Sequence, residues 1–298
     1  MSTIAQVCKW CGISRPTFHR ALNRGKRPML VLKLVLVAFA AWASIALAAY
    51  IGQRRLMYFP NRARVAPAQV GLADVEEKVL NTPDGARVLA WYGKARPGQP
   101  TLLYFHGNAG SLFERAERVR RFMGAGWGIY IMTYRGYGGS SGFPSEAANV
   151  ADAGLAYDDV TAQAVAAEKL FLYGESLGTN IAARIALDRL AAGLVLEAPF
   201  TSAVAVGARA YPYLPVALLL KDRYETDAFI ARVRMPLLIL HGERDRTIPV
   251  AMGRELYKLA RAPKRLAIFP NGGHSDLYLA DPGALSAIKD WMSGLPPP

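Results

Sequence analysis

Apolar positions follow two regimes along the chain. Residues 34–51 read LVLVAFAAWASIALAAYI, eighteen positions without a charge and with Ser44 as the polar break. Extended back to Met29 past Lys33, whose ammonium can snorkel, such a helix reaches across a hydrocarbon core of about 30 Å. Trp42 and Tyr50 lie within it, and Tyr50 falls where an interface is expected. A cleaved signal peptide competes with a spanning helix, because Ala46, Ala48 and Ala49 offer small residues for processing. A buried core helix fits less well between basic flanks.

After residue 70 the apolar positions shorten into strand-length runs. Residues 75–80 and 86–92 alternate and predict an antiparallel pair turned at Pro83-Asp84-Gly85. TLLYF (101–105), GIYIMTY (128–134), LFLY (170–173), GLVLEA (193–198), PLLILH (236–241) and RLAIF (265–269) are continuous apolar runs. Stretches 111–122, 145–167, 177–190 and 283–291 suit helices between or after them. Buried strands alternating with helices imply an α/β domain whose eight-stranded, mostly parallel sheet is covered on both faces. The expected division is a basic segment 1–28, a transmembrane helix or signal anchor 29–52, and one domain 53–298 with a lid insertion at about 200–234.

Composition adds a location for charge. The formal net charge is +13, and Lys9, Arg15, Arg20, Arg24, Lys26 and Arg27 precede the apolar run with no acidic residue among them. Arg54, Arg55, Arg62 and Arg64 follow it. Basic flanks around one apolar run point to insertion and headgroup contact. Their excess on the amino-terminal side favours a cytoplasmic N-terminus in an inner or plasma membrane and an outward-facing main domain. The stretch 4–26 has the look of the second half of a helix–turn–helix, with Arg15 to Arg24 as the reading helix, but no packed scaffold accompanies it and nucleic acid is not an expected partner. A start at Met29 is the simpler alternative for this segment. Cys8 and Cys11 are the two cysteines, a C-x-x-C pair with no second pair or histidine pair to complete a zinc site.

The sharpest chemical signal is Gly174-Glu175-Ser176-Leu177-Gly178, which follows a predicted strand and opens a predicted helix. A nucleophile held on so tight a turn needs glycine on both sides. Four histidines are available. His19 precedes the apolar run, and His106 and His241 end strands, where a structural role is expected. His274 lies in the glycine-flanked loop Asn271-Gly272-Gly273-His274-Ser275-Asp276 after the last strand and is the expected base. Asp245, four residues past PLLILH, is the expected acid, with Glu243 and Glu197 as rivals. The oxyanion donors are expected to be the backbone N–H of Leu177 and that of Asn108, with Ala109 as alternative, in His106-Gly107-Asn108-Ala109-Gly110.

The order of these segments, together with Tyr134-Arg135-Gly136-Tyr137-Gly138-Gly139-Ser140, resembles the α/β-hydrolase superfamily, and specifically its small membrane-anchored serine hydrolases. The likeness covers about residues 56–294 and leaves 1–28 out. It implies an α/β-hydrolase fold and an esterase, thioesterase or lysophospholipase-like activity without cofactor or metal. A small-molecule or lipid acyl substrate is expected, with serine peptidase and silent scaffold as alternatives. The apolar stretch Phe200, Tyr211 to Pro215 and Leu218 to Leu220 suits contact with an acyl chain, or packing on the core.

Overall fold

The computed structural model describes residues 3–18, 28–274, 277–280 and 283–295. Residues 19–27, with His19 and the second half of the expected reading helix Arg15 to Arg24, lie outside them, as do Ser275, Asp276 and the terminal prolines. The chain divides into two units, residues 1–53 and 54–298.

In the first unit, helix α1 spans Thr3–Trp10, and residues 15–18 are helical. Helix α2, Pro28–Met57, contains the apolar run and continues into the first residues of the second unit. Its segment Val31–Met57 is long and apolar enough to cross a membrane, and most of its large side chains are exposed.

The second unit is built on eight strands. They are β1 Val75–Asn81, β2 Arg87–Gly93, β3 Thr101–Phe105, β4 Gly128–Met132, β5 Leu170–Glu175, β6 Gly193–Glu197, β7 Leu237–Gly242 and β8 Lys264–Phe269. Their order across the sheet is β8-β7-β6-β5-β3-β4-β2-β1. Strand β2 runs opposite to the other seven, pairing antiparallel with Val75–Asn81 on one side and Ile129–Met132 on the other. Strand order reverses around β3, and in such sheets a site forms at the carboxyl ends beside the reversal.

Two cores explain why the central strands are continuous apolar runs. Leu103, Phe105, Leu172, Leu196 and Ile239 face helices α4 (Glu146–Ala162), α5 (Leu177–Asp188) and α8 (Val250–Leu259). Leu102, Tyr104, Tyr173, Val195 and Leu238 face α3 (Ala116–Gly124), α9 (Leu277–Ala280) and α10 (Gly283–Ser293). Alternate residues of the central strands serve opposite layers, which confines most of their polar side chains to the strand ends, such as Thr101, Glu175, Glu197 and His241.

Local chemistry fixes the helix starts. Ser145 caps α4 by accepting the Ala148 N–H at 3.2 Å. Ser202 caps α6 (Ala203–Ala210) in the same way through the Ala205 N–H at 3.1 Å. The insertion at 200–234 carries α6 and the short α7 (Val216–Leu219), with Tyr211, Tyr213 and Leu218 exposed and Phe200 buried. The helix expected from Ser111 begins instead as a 3₁₀ turn, Phe113–Arg115, before α3. Helix α8 had no counterpart in the sequence reading.

Candidate active site

Strand β5 ends at Glu175 and α5 begins at Leu177, which leaves Ser176 alone on the bend. Its φ of 50° and ψ of −114° lie where L-residues are strained, at a cost of about 1–3 kcal/mol. The surroundings hold it there. The Ser176 N–H donates to the Glu197 carbonyl at 2.9 Å, and the Ser176 carbonyl accepts from the Thr179 N–H and hydroxyl. A Cβ on Gly178 would stand 1.9 Å from the Phe105 carbonyl oxygen, and one on Gly174 would stand 2.5 Å from the Gly178 carbonyl. Both glycines are therefore required by backbone packed against backbone.

The loop after β8 brings His274 to this bend. Its Nε2 lies 3.0 Å from Ser176 Oγ, and its Nδ1 lies 2.7 Å from Asp245 Oδ2. Close passage of chain makes this possible, since a Cβ on Gly242 would meet the Gly272 carbonyl at 2.3 Å. Asp245 is fixed by its other oxygen, which accepts the Thr247 and Ile248 N–H groups at 2.8 Å each. Burial opposes the Asp245 carboxylate, but hydrogen bonds from His241 and His274 outweigh it and hold the group well below the usual carboxylate range. Burial likewise opposes the His274 cation, yet the hydrogen bond and charge of Asp245 prevail and raise its pKa above the ordinary imidazole value. With Nδ1–H directed at Asp245, Nε2 is the free acceptor for the Ser176 hydroxyl proton.

Leu177 follows Ser176 directly, and the loop that carries Asn108 and Ala109 approaches the bend through Gly107. Leu177 is the first residue of α5, where backbone N–H groups lack helical acceptors. The loop 107–110 approaches Ser176 closely, because a Cβ on Gly107 would stand 3.5 Å from Ser176 Cβ. It is held from outside by the chain that follows α2. Phe59–Pro60 pairs in parallel with Ala109–Gly110. The Phe59 N–H donates to the Asn108 carbonyl at 2.9 Å, and the Asn61 N–H to the Gly110 carbonyl at 3.0 Å. Asn108 Nδ2 donates to the Met57 carbonyl at 2.8 Å, and the Tyr137 hydroxyl donates to the Asn108 carbonyl at 2.7 Å.

Behind the bend sits a buried ionic cluster that the sequence reading did not anticipate. Arg115 donates through Nε and Nη2 to Glu175 at 3.2 and 2.9 Å, and through Nη1 to the Ala109 carbonyl at 2.6 Å. Arg118 donates to Glu197 and to the Tyr104 hydroxyl, and the Tyr104 hydroxyl donates to Glu175. Tyr173 donates to Glu197 and lies 2.6 Å from the Tyr278 hydroxyl. Burial opposes ionisation of Glu175, but Arg115 and Arg118 hold it well below the usual carboxylate range. Burial instead raises the pKa of Glu197. One signal for this cluster was present: Arg115 and Arg118 share a helical face with the apolar Ala116, Val119 and Phe122.

The rivals for the acid are occupied elsewhere. Glu197 is bound by Arg118 and Tyr173, and Glu243 pairs with Arg254 at 3.0 Å on the surface. His106 is wholly buried against Tyr134 and Tyr137, with Nδ1 donating to the Gly107 carbonyl at 2.6 Å. His241 is also wholly buried. Its Nε2 donates to the Ile248 carbonyl at 2.9 Å and lies 3.5 Å from Asp245 Oδ2. Among the described residues no cluster of three or more His, Cys, Asp or Glu is placed to hold a metal ion.

Comparison with known proteins converges on one family. The family model described as serine aminopeptidase, S33, matches residues 97–222. An uncharacterized Mycobacterium tuberculosis protein is 38% identical over 245 residues, covering 81% of this chain and 87% of its own. The α/β hydrolase domain-containing protein WAV2 of Arabidopsis thaliana is 29% identical over 257 residues, covering 76% of this chain and 83% of its own. Among solved structures, the Pyrococcus furiosus esterase Pf2001 shares the fold with a TM-score of 0.64 at 17% identity, over 80% of this chain and 98% of the esterase. With its sheet order, its strained serine between strand and helix, and these relatives, the chain belongs to the α/β-hydrolase superfamily.

Proposed function

We propose that the chain is a serine hydrolase that cleaves carboxylic ester or thioester bonds of lipid or acylated substrates, with Ser176 as nucleophile, His274 as base and Asp245 as its orienting acid. The reading is carried by one observation, the unbroken relay from Ser176 Oγ through His274 to Asp245 at 3.0 and 2.7 Å. In this mechanism Ser176 Oγ attacks the carbonyl carbon while His274 Nε2 takes its proton. The carbonyl π pair moves to oxygen, where the N–H groups of Leu177 and of Asn108 or Ala109 receive it. Collapse of the adduct expels the alcohol or thiol, protonated by His274. Water, deprotonated by His274, then releases the acid. Asp245 stays ionised throughout, consistent with its depressed pKa.

The preference for lipid or acylated substrates rests on the exposed Tyr211, Tyr213 and Leu218 of the 200–234 segment and on the apolar helix that precedes the domain. That helix would serve as a membrane anchor, with the domain on the outer face. A second reading, peptide-bond cleavage, is favoured by the description of the family model that matches residues 97–222. Aminopeptidase action needs an anion to receive the substrate amine, and the nearby Glu175 is already engaged by Arg115.

The test is turnover of p-nitrophenyl esters of short, medium and long acyl chains, beside amino-acid p-nitroanilides, by the full chain in detergent. Ser176→Ala is expected to lower turnover on the order of 10⁴–10⁶-fold. Equal rates in the two proteins would remove Ser176 as nucleophile. Faster anilide than ester turnover would move the peptidase reading to the front.

A further inference from the structure

Arg115 takes no part in the mechanism above, yet it is the side chain that joins the two walls of the oxyanion pocket. One wall is the loop 107–110 and the other is the elbow around Ser176. The guanidinium Nη1 holds the Ala109 carbonyl at 2.6 Å, while Nε and Nη2 hold the Glu175 carboxylate at 3.2 and 2.9 Å. Glu175 immediately precedes the nucleophile and ends β5. The pair is buried, with side chains 12% and 9% exposed. Gly107 shows how closely the loop rests on it, since a Cβ there would stand 3.3 Å from both Arg115 Nη2 and Glu175 Oε1.

We infer that Arg115, locked to Glu175, is a positioning residue that sets the gap between the oxyanion loop and the nucleophile elbow. The inference rests on the proposed reading of Leu177 and of Asn108 or Ala109 as the donors to the developing oxyanion. Those donors lie on opposite sides of the gap, so the distance between them is the quantity on which transition-state stabilisation depends. A planar fork is suited to the task because its donors leave in fixed directions toward two acceptors at once. A lysine keeps the charge and cannot span both. Stability alone does not call for a buried ion pair here, because apolar replacements of such pairs are often as stable.

The positioning role makes turnover and substrate binding respond differently. A donor shifted by about 1 Å costs on the order of 10²-fold in rate, with little effect on ground-state affinity. The same donors receive the oxygen of a trifluoromethyl ketone adduct. There Ser176 Oγ bonds to the ketone carbon, the π pair moves to oxygen and the serine proton passes to His274. Weakened inhibition by this compound should therefore track lost kcat.

The experiment uses the full chain in detergent with a p-nitrophenyl ester, and compares wild type with Arg115→Lys, Arg115→Met and Arg115→Met/Glu175→Gln. Arg115→Lys is expected to lower kcat by about 10–100-fold, leave KM within about twofold, and raise the Ki of the trifluoromethyl ketone by the same factor as kcat falls. The double variant, which removes both charges, is expected to regain thermal stability relative to Arg115→Met without regaining kcat. A kcat within about twofold of wild type in Arg115→Lys, or recovery of kcat along with stability in the double variant, would overturn the inference. Ser176→Ala in the same assay separates the levels. If it is inactive while Arg115→Lys is unaffected, the positioning role falls alone. If it retains turnover, the proposed mechanism falls and the inference with it.

Discussion

Asp245 and His274 define what pH should do to the site. His274 must be neutral to accept the Ser176 proton, so kcat/KM should rise with pH through the His274 pKa and level off above it. Because Asp245 raises that pKa, the acid limb should lie above the ordinary imidazole value of about 6.5. Asp245→Asn removes the charge and the fixed tautomer together. It should lower kcat/KM on the order of 10⁴-fold and move the limb to lower pH. A pH profile between 5 and 9 checks both effects, and an unmoved limb would show that Asp245 does not act through His274. That Ser176, His274 and Asp245 come together was legible because each lies near glycine or just past an apolar run, and chain order removed most rivals. Arg115 and Glu175 were not legible as a pair, since sixty residues separate them and only the fold brings the guanidinium to the carboxylate.

At the scale of elements, the elbow depends on β3, β5 and α5 meeting without side chains between them. Gly178→Ala would place a methyl 1.9 Å from the Phe105 carbonyl, and no side-chain rotation relieves a clash with backbone. The expected result is a loss of about 1–3 kcal/mol of stability and of reaction with a fluorophosphonate probe. Thermal unfolding and probe labelling measure the two, and wild-type values in both would contradict the close approach. The central strands were readable because both of their faces are buried, which makes them continuous apolar runs. Helix α8 was missed for a related reason. Its sequence VAMGRELYKL is short and carries Gly253, which reads as a breaker. In the folded protein that glycine is the helix's point of contact, since a Cβ there would stand 2.4 Å from His241 Nδ1. A residue that weakens a helix locally stands where α8 packs against His241 at the end of β7.

At the scale of the whole molecule, the second unit begins before the first strand of its sheet. Residues 57–61 give the 107–110 loop its outer hydrogen-bond partners. Tyr58 is buried, and its hydroxyl lies 2.8 Å from that of Tyr224, while Arg54 donates to Asp222 at 2.9 Å. A chain beginning at residue 54 should therefore keep full reactivity toward a fluorophosphonate. A chain beginning at residue 62 should retain the sheet and lose most of that reactivity. Comparing labelling rates of the two, with circular dichroism to confirm the fold, tests this, and equal rates would show that the loop holds its shape unaided. The sequence placed the start of the domain at residue 53 but did not reveal the pairing of Phe59–Pro60 with Ala109–Gly110, because a two-residue pairing leaves no periodicity to read.

That border changes what proteolytic shedding would mean for this protein. A cut after Asn61 would leave the segment that pairs with Ala109–Gly110 on the side of the apolar N-terminal helix, so under the proposed reading release and silencing would be one event, whereas a cut before Arg54 would free the whole second unit.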